Sequence, residues 1–360
     1  MIPIQPFRAL RPTAARAREF SVPRLDHLDE ASRAAIEAKL PRSVAAVVGQ
    51  GGAALLSELE TAKALLRHAE PTCYMHRQVR GTQRGVGLVA CVQMEAFRRG
   101  GVRAHREACG MRAGAWREQV LRLGGAQVDP VILGFEPTPT TEDLFEREIN
   151  ERPLFHVVAD DGATHTFWSG TRAAALQEAF AAVGHAYLLE GHHRAAAEVG
   201  ETVSALLLPL SQVVARWSVR WLDGEAGARI SAWLGAHGTP ESCPGAPPEG
   251  WVDACTLEHG MPRWRRLALP ASAGGSLRAA TADARLDALL LEAAGHAGTR
   301  RAGEDDPARV EAMVGKAGTA AFLLPAPVIG EITRLADAGE RLPVGSTWFL
   351  PRVRSGLWIA

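Results

Sequence analysis

Apolar and polar positions along this chain switch between a period near 3.6 and a period of two. The switches outline an irregular mixture of helices and strands. Residues 31–40 carry helix formers between polar turns. Residues 53–68 space Leu55, Leu56, Leu59, Ala62, Leu65 and Leu66 as one helix face, which predicts a single helix. Two strand-like runs, 72–79 and 85–94, follow around the turn Arg80-Gly81-Thr82-Gln83-Arg84-Gly85. Residues 116–123 read as a helix stopped by Gly124-Gly125, and 128–135 as a strand. The run from Glu136 to Asp143 breaks regular structure, with Thr141 as the expected cap of the next helix. Strands are expected at 154–158 and 165–168 around Asp160-Asp161-Gly162, a strong hairpin signal. A helix at 171–182 carries Leu176 and Phe180. Residues 203–214 are apolar but contain Pro209, which leaves a strand or a broken helix. Further on, helices are expected at 279–294, 306–315 and 329–338, and a strand at 320–324.

Strands and helices mix without regular alternation, and no repeat or heptad is visible. That predicts an α+β (mixed α/β) fold rather than a doubly wound sheet. Four regions follow: a mixed sheet-helix region at 1–135, a second at 136–234, a Gly/Pro-rich loop at 235–250, and an α+β region at 251–360 that packs back on the rest. The chain has 360 residues, enough for a sizeable core.

Charge and cysteine usage narrow the function classes. Lys plus Arg and Asp plus Glu each total 40, so formal net charge is zero and no nucleic-acid partner is expected. Lys39, Lys63 and Lys316 are the only lysines, so phosphate contacts must come mostly from Arg and backbone amides. The five cysteines (Cys73, Cys91, Cys109, Cys243, Cys255) are scattered and never spaced Cys-x-x-Cys, which fits reduced thiols and no structural zinc. There is no basic-then-apolar leader and no apolar run long enough for a bilayer. A cytoplasmic protein with no membrane partner is the expectation.

The segment richest in chemistry is Glu190-Gly191-His192-His193-Arg194. It sits between the apolar run 186–189 and the helix-forming Ala195-Ala196-Ala197. That order reads as strand, tight turn, helix. Gly191 permits the turn and a close ligand approach, the new helix's amides favour an anion, and Arg194 offers a planar fork for phosphate oxygens. His192 and His193 can hydrogen-bond, move protons or bind metal. The plain alternative is a polar helix start with a solvated Arg and a structural His.

The loop resembles the Asp-Gly-His-His-Arg signature of a bacterial and archaeal family, domain of unknown function 1015. The likeness spans most of the chain. Ile4-Gln5-Pro6-Phe7-Arg8-Ala9-Leu10-Arg11-Pro12 resembles the family's start, and Pro23-Arg24-Leu25-Asp26 sits where the family has Pro-Pro-Tyr-Asp. Tyr74-Met75-His76-Arg77-Gln78 matches its Tyr-x-x-x-Gln strand, and His105 and Arg117 fall near its His-Glu-x-Thr and Asp-Arg elements. Leu342-Pro343-Val344-Gly345-Ser346-Thr347-Trp348-Phe349-Leu350-Pro351-Arg352 resembles its closing Met-Pro-x-Lys-Ser-Thr-x-Phe-x-Pro-Lys. The family's loop is in turn similar to the phosphate-binding box of the ParB and sulfiredoxin superfamily, which includes free-serine kinases. This chain departs from the pattern at Glu190 for Asp, Ala195 for Tyr, Arg106 for Glu, Trp116 for Asp and Gly345 for Lys, and the His of a His-Arg pair expected near Arg216 is missing.

The resemblance implies a ParB/sulfiredoxin-like core around the loop and nucleotide-dependent phosphoryl transfer to a small hydroxyl compound, a serine-like amino acid first. It implies a small-molecule substrate and a nucleotide, ATP or ADP with Mg²⁺, and leaves room for a homodimer. Gly191, His192, His193, Arg194 and Arg77 are the expected nucleotide contacts. Glu190, His192, His193, Asp26 and His105 are the expected catalytic groups, with Glu190 and Asp26 also holding the metal. Each has a plain reading beside it: Asp26 as a turn or cap, His105 as a satisfied His, Arg77 as a solvent-facing strand residue. Ser346-Thr347 either meets a phosphate or begins a strand. Trp348, Phe349 and Trp358 read as core. Gly49-Gln50-Gly51-Gly52 lacks the spacing of a dinucleotide loop, and no Walker or protein-kinase signature is present. Two alternatives stand beside the kinase reading: a nucleotide-binding switch or degenerate non-catalytic member, and a lyase or other enzyme acting on a phosphorylated amino acid.

Overall fold

The computed structural model describes residues 1–272, 274–303, 306–317 and 319–360. The protein is α+β, built as two compact units. One comprises residues 1–104, 108–214 and 349–360, the other residues 105–107 and 215–348. This division differs from the four regions read from sequence. No break falls at 135, the first unit runs on to 214, and it takes back the C-terminal residues 349–360.

The first unit is organised by a nine-stranded mixed sheet. Its order is Val102–Ala104, Ala186–Glu190, Val131–Phe135, Thr202–Pro209, Gln83–Gln93, Tyr74–Arg80, Thr164–Ser169, Phe155–Val158, with Ile4–Gln5 added beside Gln83–Gln93. Ala186–Glu190 runs parallel to Val102–Ala104 and antiparallel to Val131–Phe135. Alternate residues of these strands, among them Met75, Leu88, Ala90, Leu133, Phe135, Ala205 and Leu207, form one apolar core with Leu144 and Phe145 of the helix Pro139–Ile149 and Leu176 and Phe180 of the helix Ala173–Ala182. Phe135 and Phe180 have ring centroids 4.9 Å apart. The neighbouring strand positions carry a buried polar pair, His76 Nε2 to His165 Nδ1 at 3.0 Å, with His76 stacked on Phe167. Burial holds both imidazoles neutral, lowering His76 well below its usual range and His165 to about 4.

Most expected elements are present, and the departures have local causes. The helix expected over 53–68 ends at Thr61, because Lys63 takes a left-handed backbone (φ 56°). Leu65–Arg67 then pairs antiparallel with Leu10–Pro12. Leu65 is buried as the periodicity required, but as a strand residue. Thr138, not Thr141, caps the Pro139–Ile149 helix, and Thr141 at the third helical position answers it in a reciprocal box. Pro209 ends the strand Thr202–Pro209. Gly49-Gln50-Gly51-Gly52 kinks one helical segment into another instead of following a strand.

The second unit is a six-stranded antiparallel sheet ordered Thr239–Pro240, Met261–Ala268, Trp251–Glu258, Ala320–Leu323, Val219–Leu222, Thr299–Arg301. Two-residue alternation splits its side chains cleanly. Leu222, Val252, Ala254, Leu267, Ala320 and Phe322 pack with Ile230 and Leu234 of the helix Gly224–His237 and Leu286, Leu289 and Leu290 of the helix Ala282–Ala294. Val219, Trp221, Cys255, Trp264, Ala321 and Leu323 pack with Val310 and Val314 of the helix Pro307–Ala317. Sequence reading missed the hairpin Trp251–Glu258/Met261–Ala268. Its turn residues His259 and Gly260 both have positive φ, the signature of a two-residue hairpin turn. The region expected as a loop from 235 begins inside the Gly224–His237 helix and includes the short strand Thr239–Pro240. No helix among the described residues is long and apolar enough to cross a membrane.

A buried ionic cluster braces this unit. Arg220, fully buried, donates to Asp283 at 2.6 Å and to Asp287, while Arg300 donates to Asp283 Oδ2 at 2.9 Å and to Asp287 Oδ2 at 2.7 Å. Asp283 also accepts from Ser346 Oγ at 3.2 Å. Removing one member leaves buried charge without compensation, which costs about 3–5 kcal/mol. Asp283→Ala is therefore expected to lose about that much in denaturant unfolding of the whole chain. A loss below about 1 kcal/mol would mean that water reaches the cluster and screens it.

Candidate functional site

The site is built where the strand Ala186–Glu190 ends. Its register against Val131–Phe135 shifts between Leu188 and Glu190, and Gly191 follows in the left-handed region at φ 93°. A Cβ on Gly191 would lie 2.9 Å from Arg194 Nη2 and 2.9 Å from Val131 Cγ1. Glycine is thus required twice, by backbone and by space. The helix His192–Ala197 that follows has six residues and ends at Glu198 (φ 47°). Arg117, on the helix Gly110–Arg122, donates to the Ala197 carbonyl from Nε at 3.0 Å and Nη2 at 2.6 Å and so caps that end. A helix this short cannot supply the summed dipole of a long one. The charge in this loop is therefore supplied chiefly by side chains.

Those side chains form an alternating ionic group. Arg194 is buried, donates through Nη1 to Asp26 Oδ2 at 2.5 Å, and lies 5.5 Å from the Trp116 ring centre. Its Nε and Nη2 are buried with no acceptor among the described residues. Arg24, one residue before the turn Leu25–His27, is also buried. Its Nε donates to Asp26 Oδ1 at 3.1 Å, its Nη1 lies 3.4 Å from Glu190 Oε2, and its Nη2 donates to the Pro130 carbonyl at 3.1 Å. Glu190 Oε1 accepts from the Phe349 amide at 3.4 Å. Ser355 ties in a third carboxylate: its Oγ donates to Asp129 Oδ1 at 2.5 Å and accepts from the Leu25 amide at 3.1 Å.

Protonation follows from this arrangement. Burial alone would lower the Arg24 pKa, but the charges of Asp26, Glu190 and Asp129 and the hydrogen bond to Asp26 outweigh it and raise it, so the guanidinium stays charged. Burial pushes the Asp129 carboxyl up to about 6. Arg24 pulls against that, Asp26 adds to it, and Ser355 and Arg33 oppose it.

The structure gathers Asp26, Glu190, Gly191 and Arg194 into one group. His192 is buried beside them in the loop, and His193 accepts from the Cys109 amide through Nδ1 at 2.9 Å. When neutral, His193 therefore carries its proton on Nε2. Arg77 falls elsewhere in the sheet. Three strands separate its strand from Ala186–Glu190, and its guanidinium lies 5.1 Å from the centre of the Trp168 ring. His105 belongs to the second unit, is fully buried, and meets Thr347 Oγ1 through Nε2 at 2.7 Å. Thr347 opens a strand, Thr347–Leu350, and Ser346 is held by Asp283. Sequence reasoning missed Arg24, Asp129, Ser355 and the role of Trp116. Arg24 and Trp116 were visible only as departures from a family pattern, while Asp129 and Ser355 gave no signal.

Among the described residues, a divalent ion finds no ready set of ligands here. Asp26 and Glu190 were the expected Mg²⁺ ligands, but both face the Arg24 guanidinium, and Asp26 also faces Arg194. Among the described residues, no group of three or more His, Cys, Asp and Glu side chains is arranged to hold a metal. What the site offers is different: a buried Arg194 edge with two N–H groups that have no acceptor among the described residues, packed against Gly191, beside a carboxylate that keeps 38 % of its side chain exposed, Asp26.

A family model described as a protein of unknown function, DUF1015, matches residues 4–202, more than half of the chain. The chain belongs to the DUF1015 family. No curated protein matches this DUF1015 protein in sequence. Among solved structures it is similar to SbnI with C-terminal truncation from Staphylococcus aureus, at 11% identity and a TM-score of 0.41 over 75% of this chain and 87% of that one. It is similar to a free serine kinase in complex with AMP, at 11% identity and a TM-score of 0.39 over 75% and 92%. A conserved hypothetical protein from Pyrococcus furiosus is similar at 12% identity and a TM-score of 0.38 over 78% and 97%.

Two outcomes follow for the DUF1015 site. Gly191→Ala should displace Arg194 and cost stability, since a side chain at φ 93° is strained and its Cβ has no room. The expected loss is about 1–3 kcal/mol in chemical unfolding, and an unchanged midpoint would mean that the loop relaxes freely. Asp129 gives a pH signature. An acid whose folded pKa lies above its unfolded value, near 3.9, holds its proton longer in the folded chain. Its stabilising contribution is full below about pH 4, is lost as pH rises to about 6, and is level above. The wild-type melting temperature minus that of Asp129→Asn should fall between pH 4 and 6. A difference that rises over this window would mean that Asp129 ionises more readily in the fold.

Proposed function

We propose that the Glu190–Arg194 loop binds a phosphate group and that the protein transfers a nucleotide's terminal phosphoryl group to the hydroxyl of a small, serine-like amino acid. The observation that carries this reading is the Nε/Nη2 edge of Arg194. It is buried, it has no acceptor among the described residues, and it comes so close to Gly191 that a Cβ there would lie 2.9 Å from Nη2. Two parallel N–H groups match two phosphate oxygens, and an orphaned buried donor pair is costly unless a ligand uses it.

In the proposed reaction the acceptor oxygen attacks the terminal phosphorus, the bond from that phosphorus to the nucleotide's bridging oxygen breaks, and the acceptor's proton passes to a carboxylate. Asp26, the more exposed of the paired acids, is the base with access to an incoming hydroxyl. Arg194 offsets charge on the transferring group, since such chemistry is chiefly positioning and charge stabilisation. His193, held with its proton on Nε2, orients a phosphate oxygen. Glu190 holds Arg24 in place. A second reading is favoured by the ion pairing of both acids: the loop binds a phosphorylated small molecule, such as a phosphorylated amino acid, with no nucleotide.

Calorimetric titration with ATP, ADP, CTP and phosphoserine separates these readings. Nucleotide binding by wild type that weakens about 10- to 100-fold in Arg194→Ala, the loss of one charge-assisted bidentate contact, supports the kinase reading. In that case Asp26→Asn should lower the turnover of serine phosphorylation without abolishing nucleotide binding. Phosphoserine binding alone supports the second reading. If the folded wild type binds none of the four, both fail.

A further inference from the structure

Arg24 is the least expected group in the molecule. A guanidinium is expensive to bury, and this one is almost wholly out of water, with its side chain 3 % exposed. It is kept charged because Asp26 and Glu190 pair with it at 3.1 and 3.4 Å and the nearby charge of Asp129 adds to them. Asp26 comes from the turn that follows it, Asp129 from just before the strand Val131–Phe135, and Glu190 from the end of the strand Ala186–Glu190. Carboxylates gathered this closely around one point would ordinarily draw a hard divalent cation. Here they converge on an organic cation that the chain itself supplies, and its remaining Nη2 donor is spent on the Pro130 carbonyl.

We propose that Arg24 is a built-in counter-cation standing where a divalent metal would otherwise be held, so that this site handles its phosphate ligand without one. The placement of that phosphate rests on the reading above, while the claim about the cation does not. Its physical content is a competition. While Arg24 occupies the carboxylate group, a metal must displace a buried, hydrogen-bonded guanidinium and leave it unpaired. Once Arg24 is neutralised, the three acids repel one another, and a divalent ion relieves that repulsion. Arg24 is a positioning residue in this scheme. It sets the orientation of Asp26, whose other oxygen holds Arg194.

The test is a Mn²⁺ titration of the full chain without nucleotide, read by the loss of free-ion electron paramagnetic resonance signal. It compares wild type, Asp26→Asn, Arg24→Gln and the double variant Arg24→Gln/Glu190→Gln, each checked for folding by circular dichroism. Wild type is expected to bind no Mn²⁺ that Asp26→Asn removes. Arg24→Gln is expected to gain one Mn²⁺ equivalent, and the double variant to lose it again. Mn²⁺ bound by wild type and lost in Asp26→Asn would overturn the proposal. So would a folded Arg24→Gln protein that binds none. Should Arg24→Gln fail to fold, the wild-type and Asp26→Asn titrations decide alone. In parallel, any nucleotide or phosphoserine affinity of wild type should be the same in EDTA as in Mg²⁺. A ligand that binds only with Mg²⁺ would overturn the cation claim while leaving the phosphate reading intact, and absence of any ligand would do the reverse.

Discussion

The burial of Arg24 is the constraint on which the first unit's functional end depends. A buried charge must be compensated within hydrogen-bonding reach, or its desolvation cost goes unmet. Compensation here comes from residues far apart in sequence: Asp26 beside it, Asp129 and the Pro130 carbonyl about a hundred residues on, and Glu190 further still. Ser355 then fastens the returning C-terminal segment to Asp129 and to the Leu25 amide. One cation thus fixes where the 24–26 turn, two strand ends and the C-terminal segment meet. The apolar core supplies most of the folding free energy but is indifferent to such detail. The ionic group is not.

From that constraint the loop geometry follows in order. Arg24 holds one oxygen of Asp26, and the other oxygen is left for Arg194 Nη1. With Nη1 fixed and its Cζ over the Trp116 ring, Arg194 presents Nε and Nη2 toward Gly191. The glycine is needed because the guanidinium already fills the volume a side chain would take. Arg117 closes the short helix at its far end and keeps His192 to Arg194 from unwinding. Glu190, Gly191, Arg194 and Asp26 are therefore links of one chain of contacts, and a change at any of them reaches the others.

How much of this could be read from sequence depends on the range of the interaction responsible. The strand, glycine and helix of the 186–197 segment were legible because apolar runs and a glycine act locally. The same holds for the hairpin at Asp160-Asp161-Gly162 and the helix at 171–182. Where local periodicity fitted two answers, the choice went wrong: Leu65 and Leu66 continue a helical spacing, yet the left-handed backbone at Lys63 hands them to a strand. The Trp251–Glu258 hairpin was missed because its turn, His259-Gly260, is short and its second strand, Met261–Ala268, carries three arginines. The domain boundary was invisible for a different reason. A segment that leaves a unit at 214 and rejoins it at 349 marks neither crossing with a compositional change.

The same reasoning separates the site residues. Asp26 and Glu190 could be named from sequence through the resemblance to the family's Pro-Pro-Tyr-Asp and Asp-Gly-His-His-Arg elements, but their partner could not. Nothing local distinguishes Arg24 from the chain's many other arginines. Only the fold reveals that its guanidinium is buried beside Pro130 and Glu190, and that acids from distant segments meet its charge there. Sequence alone therefore invites a metal ion at this point, since acids without a visible cation imply an external one. The fold supplies the cation from within, and the site's charge balance reads differently once it does.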